Sequence, residues 1–120
     1  MKVLIVDDQE VNRKLPLAIL ARRGVDAVAV TSCEEALSLL DEDSGFDCLL
    51  LDVSLPGMTG TELCHYLRTE HPERKLHIVA YTAHAFADER ARIMDAGFDD
   101  LLIKPINRDG LLQSLGLALQ

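Results

Sequence analysis

Five short apolar runs, each followed by a helical pattern, constrain this chain more than any other feature. They lie at Lys2–Val6, Ala27–Val30, Cys48–Leu51, Ile78–Tyr81 and Leu101–Ile103. Their apolar character is continuous rather than alternating, which suits strands buried on both faces, as in a parallel sheet. The run at Ala27 is the weakest, being short and rich in alanine. Parallel strands need crossover connections, and the intervening segments carry helix signals. Ser32 precedes Cys33–Glu42 with Glu35 three residues on, the spacing of a capping box, and Thr59 with Glu62 repeats it before Leu63, Tyr66 and Leu67. Asn107 is a fair cap for a last helix running to about Leu119, and Gly24 and Gly97 stand where a left-handed stop favours glycine. The order is β-α five times, which predicts an α/β fold with a doubly wound five-stranded parallel sheet and five helices. Pro16 fits poorly, because it falls inside the first helical pattern, where proline removes a donor and crowds the preceding turn. Either that helix starts late or it bends.

Length and composition bound the function classes. The 120 residues suit one domain over 1–120. Lys and Arg number 12 against 20 Asp and Glu, a net charge of −8, which makes the chain by itself a poor match for nucleic acid. No apolar run reaches the roughly 18 residues of a membrane span, and the apolar start MKVLIV is too short for a signal peptide, so a cytoplasmic location is the default expectation. Cys33, Cys48 and Cys64 are an odd, unclustered set that reads as packing residues, not a disulfide framework. His65, His71 and His77 show no ligand spacing with them and read as surface or helix residues.

In open α/β sheets, ligands gather at the carboxyl ends of the strands. The first run ends in Asp7 and Asp8, the third in Asp52, the fourth in Thr82 and the fifth in Lys104 followed by Pro105. Each residue alone has a bland explanation: a capping acid, a turn former, a solvated lysine. Their joint placement at corresponding strand ends is harder to ascribe to chance. Clustered carboxylates repel, and stay ionised comfortably when a cation sits among them. Magnesium, which takes carboxylates, waters and a phosphoryl oxygen, is the natural ion. With an ammonium and a hydroxyl beside it, the set forms a site for a phosphoryl group.

The stretches LIVDDQEVNR, LLLDVSLPGMTG, VAYTAHA and DAGFDDLLIKP, in this order and spacing, resemble the receiver domains of two-component signalling. The resemblance covers essentially the whole chain and implies a flavodoxin-like (βα)5 fold. It implies that Asp52 is the phosphoacceptor, modified to an aspartyl phosphate by a phosphohistidine partner. Asp8 would bind magnesium directly, Asp7 mostly through water, and Ser54 would offer its backbone carbonyl. Thr82 would be the switch hydroxyl and Lys104 the partner of a phosphoryl oxygen, with a cis bond to Pro105. Such a domain catalyses its own phosphoryl transfer and slow dephosphorylation, and shifts the surface of helix 4, strand 5 and helix 5.

Leu101 departs from the family pattern, since many receivers carry an aromatic three residues before the lysine. Leucine has no polar-edged ring to swing, so coupling between Thr82 and the far face is either lost or runs through backbone movement alone. Alternation points Tyr81 opposite to Thr82, so Tyr81 is no substitute. His84, two residues past Thr82, and Ser54 are positions where the family tunes water access; His84 either alters the acyl-phosphate lifetime or is a solvated loop histidine.

The stretch YTAHAFADERARIMDAGFDDLLIKPI is most similar to receivers of hybrid histidine kinases. That implies a histidine kinase or a histidine phosphotransfer domain as partner, and the chain reads as a stand-alone receiver or as part of a longer protein. The consecutive apolar Leu17, Ala18, Ile19, Leu20 and Ala21 of the first helix suit such a helical partner or a well-buried helix. Two rivals differ in kind. A haloacid-dehalogenase-type hydrolase normally has an acid two residues after its nucleophile, where this chain has Ser54. A receiver-like module that binds without phosphorylation would not need the full acidic set, Thr82 and Lys104.

Overall fold

The computed structural model describes residues 1–83 and 86–117. Five strands and five helices alternate: β1 Lys2–Val6, α1 Glu10–Arg22, β2 Asp26–Val30, α2 Cys33–Glu42, β3 Cys48–Asp52, α3 Gly60–Glu70, β4 His77–Thr82, α4 Ala87–Asp95, β5 Asp100–Ile103 and α5 Arg108–Ser114. All pairings are parallel, in the order β2-β1-β3-β4-β5. The order reverses between β1 and β3, which makes the crevice above those two strands the switch point of the sheet.

Hydrophobicity explains the strand order. β3, apolar until its last residue, is buried throughout and lies in the centre. The alanine-containing β2 forms one edge and is only half-buried, and β5 forms the other. Two core layers flank the sheet. Leu4, Val6, Leu49 and Leu51 face α2, α3 and α4 through Ala36, Leu40, Leu63, Leu67 and Ile93. Val3, Ile5, Leu50, Val79 and Tyr81 face α1 and α5 through Leu20, Leu111 and Leu112. At about 1.5–3 kcal/mol per fully buried large aliphatic side chain, these layers are the main source of stability.

Helix ends follow local chemistry with two corrections. Thr59 and Glu62 form a complete capping box, Thr59 Oγ1 accepting from Glu62 N and Glu62 Oε1 from Thr59 N. The predicted box at Ser32 is half made. Ser32 Oγ accepts from Glu35 N at 3.1 Å, but the Glu35 carboxylate is taken by the Thr31 hydroxyl and does not return to the backbone. Asn107 caps α5 as expected, accepting from Gly110 N at 2.7 Å. That helix ends at Ser114, short of Leu119, because Gly116 adopts φ 76° and Leu117 N turns back to Leu112 O at 2.8 Å. Leu119 itself lies outside the described residues. Gly24 and Gly97 close α1 and α4 at φ 69° and 109°.

α1 starts at Glu10 and continues through the buried Pro16, so it does not start late. The bond that proline cannot make is the one to the Asn12 carbonyl, four residues earlier. No helix among the described residues is long and apolar enough to cross a membrane.

Candidate functional site

Strand register carries the acids to one end of the sheet. Val6 pairs with Leu51 across β1 and β3, so the next residues, Asp7 and Asp52, emerge side by side at the carboxyl edge. Ligand atoms of Asp7, Asp8 and Asp52 lie within 4.8 Å of one another. Asp7 is fully buried, Asp52 is 6% exposed, and Asp8 faces solvent. Lys104, just past β5, is pinned by its backbone N–H to Thr82 O at 2.8 Å. Its Nζ lies 2.8 Å from Asp7 Oδ2 and 3.3 Å from Asp52 Oδ2. Thr82 is buried at the end of β4. The Lys104–Pro105 bond is cis.

Backbone groups complete the frame. Gln9 N donates to Asp7 Oδ1 at 2.9 Å and Ser54 N to Asp52 Oδ1 at 3.1 Å, which orients both carboxylates. Arg13 donates to the Asp7 carbonyl at 3.0 Å and ties α1 to this corner. Ser54 itself is exposed on the loop beyond β3.

The donor set fits a hard divalent cation. Asp7 Oδ2 is buried without a hydrogen-bond partner, although the Lys104 ammonium is in ion contact at 2.8 Å, because the two are not aligned for donation. Among the described ion pairs, Lys104 is the cation that meets these carboxylates. One ammonium leaves a charge deficit among three acids, which oxygen-seeking magnesium would fill. Asp52 feels the deficit directly. Burial pushes its carboxyl above the ordinary value; the Ser54 N–H opposes the rise, Asp7 adds to it and Lys104 counters it.

The structure thus brings Asp7, Asp8, Asp52 and Lys104 together and places Thr82 and Ser54 at the same edge. His84 lies outside the described residues. Leu101 is half-buried against the α2–α3–α4 layer. Tyr81 points into the opposite layer, as alternation predicted.

Two neighbours of the site escape a sequence reading. A Cβ added to Gly60 would lie 2.0 Å from the Asp52 carbonyl oxygen, so glycine there lets α3 start against the β3 backbone. A helix-opening glycine after a capping threonine is the available signal, but the close approach is tertiary. Tyr81 is the other. Its ring centroid lies 4.8 Å from Lys104 Nζ, and burial, with Asp7 and Asp52 adding, pushes its phenol up to about 12. Strand parity could have found it, because Tyr81 is the register partner of Asp52.

The remaining candidates behave as packing or surface groups. Cys33, Cys48 and Cys64 are free and buried, with thiols pushed up to about 12, 11 and 11 mainly by burial. His65 is on α3 and His71 caps its end. His77 begins β4 instead of lying on a helix, and its Nε2 contacts Ser114 O at 2.6 Å, joining β4 to α5.

A family model described as the response regulator receiver domain matches residues 3–116. Sensor protein GacS of Pseudomonas syringae pv. syringae is 38% identical over 126 residues, covering 99% of this chain and 14% of that protein. Sensor histidine kinase RcsC of Salmonella typhi is 33% identical, covering 98% and 12%. The chain therefore spans a small part of these relatives' length. Among solved structures, chemotaxis protein CheY4 of Vibrio cholerae matches with a TM-score of 0.87 and 28% identity over 96% of this chain and 95% of that one. With the family model spanning nearly the whole chain and the five-stranded parallel fold matching that of CheY4, the chain belongs to the receiver domains of two-component signalling.

Proposed function

We propose that this chain, as one receiver domain over residues 1–120, accepts a phosphoryl group from a phosphohistidine onto Asp52 in a magnesium-dependent reaction. The observation that carries this reading is the meeting of three carboxylates with the Lys104 ammonium at the switch point of the sheet. An Asp52 carboxylate oxygen attacks phosphorus, the P–N bond breaks, and its electron pair stays on the imidazole nitrogen, which takes up a proton. The Ser54 N–H, 3.1 Å from Asp52 Oδ1, orients the attacking carboxylate. Lys104 meets negative charge on the phosphoryl oxygens, and Thr82 supplies a hydroxyl donor to the new group. Magnesium, when bound, offsets the charge of the carboxylates and of the transferring group. Asp8, the exposed acid, would hold it directly, with Asp52, the Ser54 carbonyl and, through water, Asp7.

The product carries about −1.5 to −2 charges at one point. Lys104 and Thr82 are joined through their backbones, so a pull on either reaches β4 and β5 together. We assign the output to the face of α4, β5 and α5, and the domain's place of work to the cytoplasm. The upstream partner is a histidine kinase or a histidine phosphotransfer domain, in keeping with the sensor kinases that this chain resembles. A groove of about 390 Å³ between α1 and the start of α5, lined by Leu15, Ala18, Ile19 and Ile106, supports a helical partner.

The test is incubation with acetyl phosphate and magnesium, followed by intact-mass measurement. The wild type is expected to gain one phosphoryl mass, and Asp52→Asn none. A wild type that stays unmodified even with a cognate phosphohistidine donor would make the domain a phosphorylation-independent binding module.

A further inference from the structure

The Lys104 ammonium is held by more than its two carboxylates. Lysine has a long, freely rotating stem, and fixing it costs rotamer entropy. Here its side chain is 15% exposed, and its Nζ sits 4.8 Å from the centroid of the Tyr81 ring, within the range of a cation–π attraction. Tyr81 is 1% exposed, within the core cluster of the α1–α5 layer that also holds Val79, Ile106, Leu111 and Leu112. Its register partners are Asp52 on β3 and Leu102 on β5. Parallel pairing therefore puts the ring on the same sheet face as the Asp52 carboxylate, with Lys104 two residues beyond Leu102 on that face.

The three attractions differ in kind. The carboxylates of Asp7 and Asp52 change partners when a phosphoryl group or a cation arrives, and each then pulls less on the ammonium. The ring face is unaltered by either event and takes up no carboxylate lone pair. We propose that Tyr81 is a positioning residue whose ring keeps the Lys104 ammonium beside Asp52, so that the charge is in place as the phosphoryl group enters. This role rests on the function proposed above and adds to it a residue outside the acids, hydroxyl and lysine. The hydroxyl of Tyr81 has no part in it, so phenylalanine serves equally and an aliphatic residue does not.

Two measurements test it. The first needs no phosphorylation: the Lys104 ε-methylene proton resonances, assigned by their loss in Lys104→Met, are expected upfield of those of the other lysines in wild type and Tyr81→Phe. In Tyr81→Leu they return to the ordinary position. The second is the rate of acyl-phosphate formation from acetyl phosphate and magnesium, at a temperature where circular dichroism shows each variant folded. Tyr81→Phe is expected within about twofold of wild type, and Tyr81→Leu slower by roughly tenfold, the rate equivalent of a partly desolvated cation–π contact. Ordinary Lys104 shifts in the wild type overturn the proposal even if Tyr81→Leu fails to fold. So does an unchanged rate in Tyr81→Leu, or an equal loss in Tyr81→Phe. A wild type that never gains phosphoryl mass removes the function itself, a result distinct from normal phosphorylation with no dependence on the ring.

Discussion

Asp52 is pulled in two directions, and the balance sets a pH dependence. Burial raises its carboxyl above the ordinary 3.8, with Asp7 adding to the rise, while the Ser54 N–H and Lys104 act against it. Between 3.8 and the raised folded value, the native state keeps a proton that the unfolded chain has released. Stability therefore falls as pH rises through that window, and the full cost is present above it. Asparagine resembles the protonated form. Without divalent metal, Asp52→Asn is expected to be more stable than wild type at neutral pH, the gap closing as pH falls toward about 4. Urea unfolding in a chelator across this range checks it. A wild type more stable than Asp52→Asn at neutral pH would mean that Lys104 overcompensates the burial.

Capping chemistry acts at the scale of the element. The box at Thr59 has both arms, whereas at Ser32 the return arm is diverted to Thr31. Thr59→Ala is expected to cost about 1–2 kcal/mol and Ser32→Ala about 1 kcal/mol, read from urea midpoints. Alanine at position 59 keeps the backbone N–H that Glu62 accepts from, so the return arm is read separately in Glu62→Ala, where an unchanged midpoint would mean that it contributes nothing. The same pair shows what was legible at this scale. Both helix starts followed from the Ser/Thr and Glu spacing, because a cap is a local bargain between neighbours in sequence. Which side chain the second glutamate chose depended on where β2 delivered Thr31. The strands were legible to within a residue or so, since burial on both faces leaves uninterrupted apolar runs. The end of α5 was not: Leu117 and Leu119 continue the apolar pattern, and Gly116 breaks it with a backbone angle that periodicity does not register.

Across the whole molecule, the cysteines divide between the two core layers. Cys33 and Cys64 lie in the α2–α3–α4 layer and Cys48 in the α1–α5 layer. All three thiols are buried and raised, so the native protein is expected to resist a thiol-specific disulfide reagent and to react at all three sites in urea. In intermediate urea, mass spectrometry can follow each site. Parallel reaction of Cys48 with Cys33 and Cys64 would mean that the layers open together; early reaction of one layer would mean that the sheet holds after that layer loosens. Arg68 fastens the α2–α3–α4 layer to the sheet, as it links α3 to the carbonyls of Leu76 and Gly97 and to the Asp99 carboxylate, just before β4 and β5.

Alone, the amino-acid order determined the alternation of strands and helices, the placing of Asp7, Asp8, Asp52, Thr82 and Lys104 at strand ends, and most helix caps. These depend on the period of apolar residues and on chemistry a few residues apart. The tertiary structure decided which ends meet. The β2-β1-β3-β4-β5 order, the ion contacts of Lys104 with Asp7 and Asp52, the passage of Gly60 under the Asp52 carbonyl and the ring of Tyr81 beneath the ammonium join residues up to 97 positions apart. Such contacts leave no periodic trace in the chain, because they are fixed by strand register and by the packing of both layers at once.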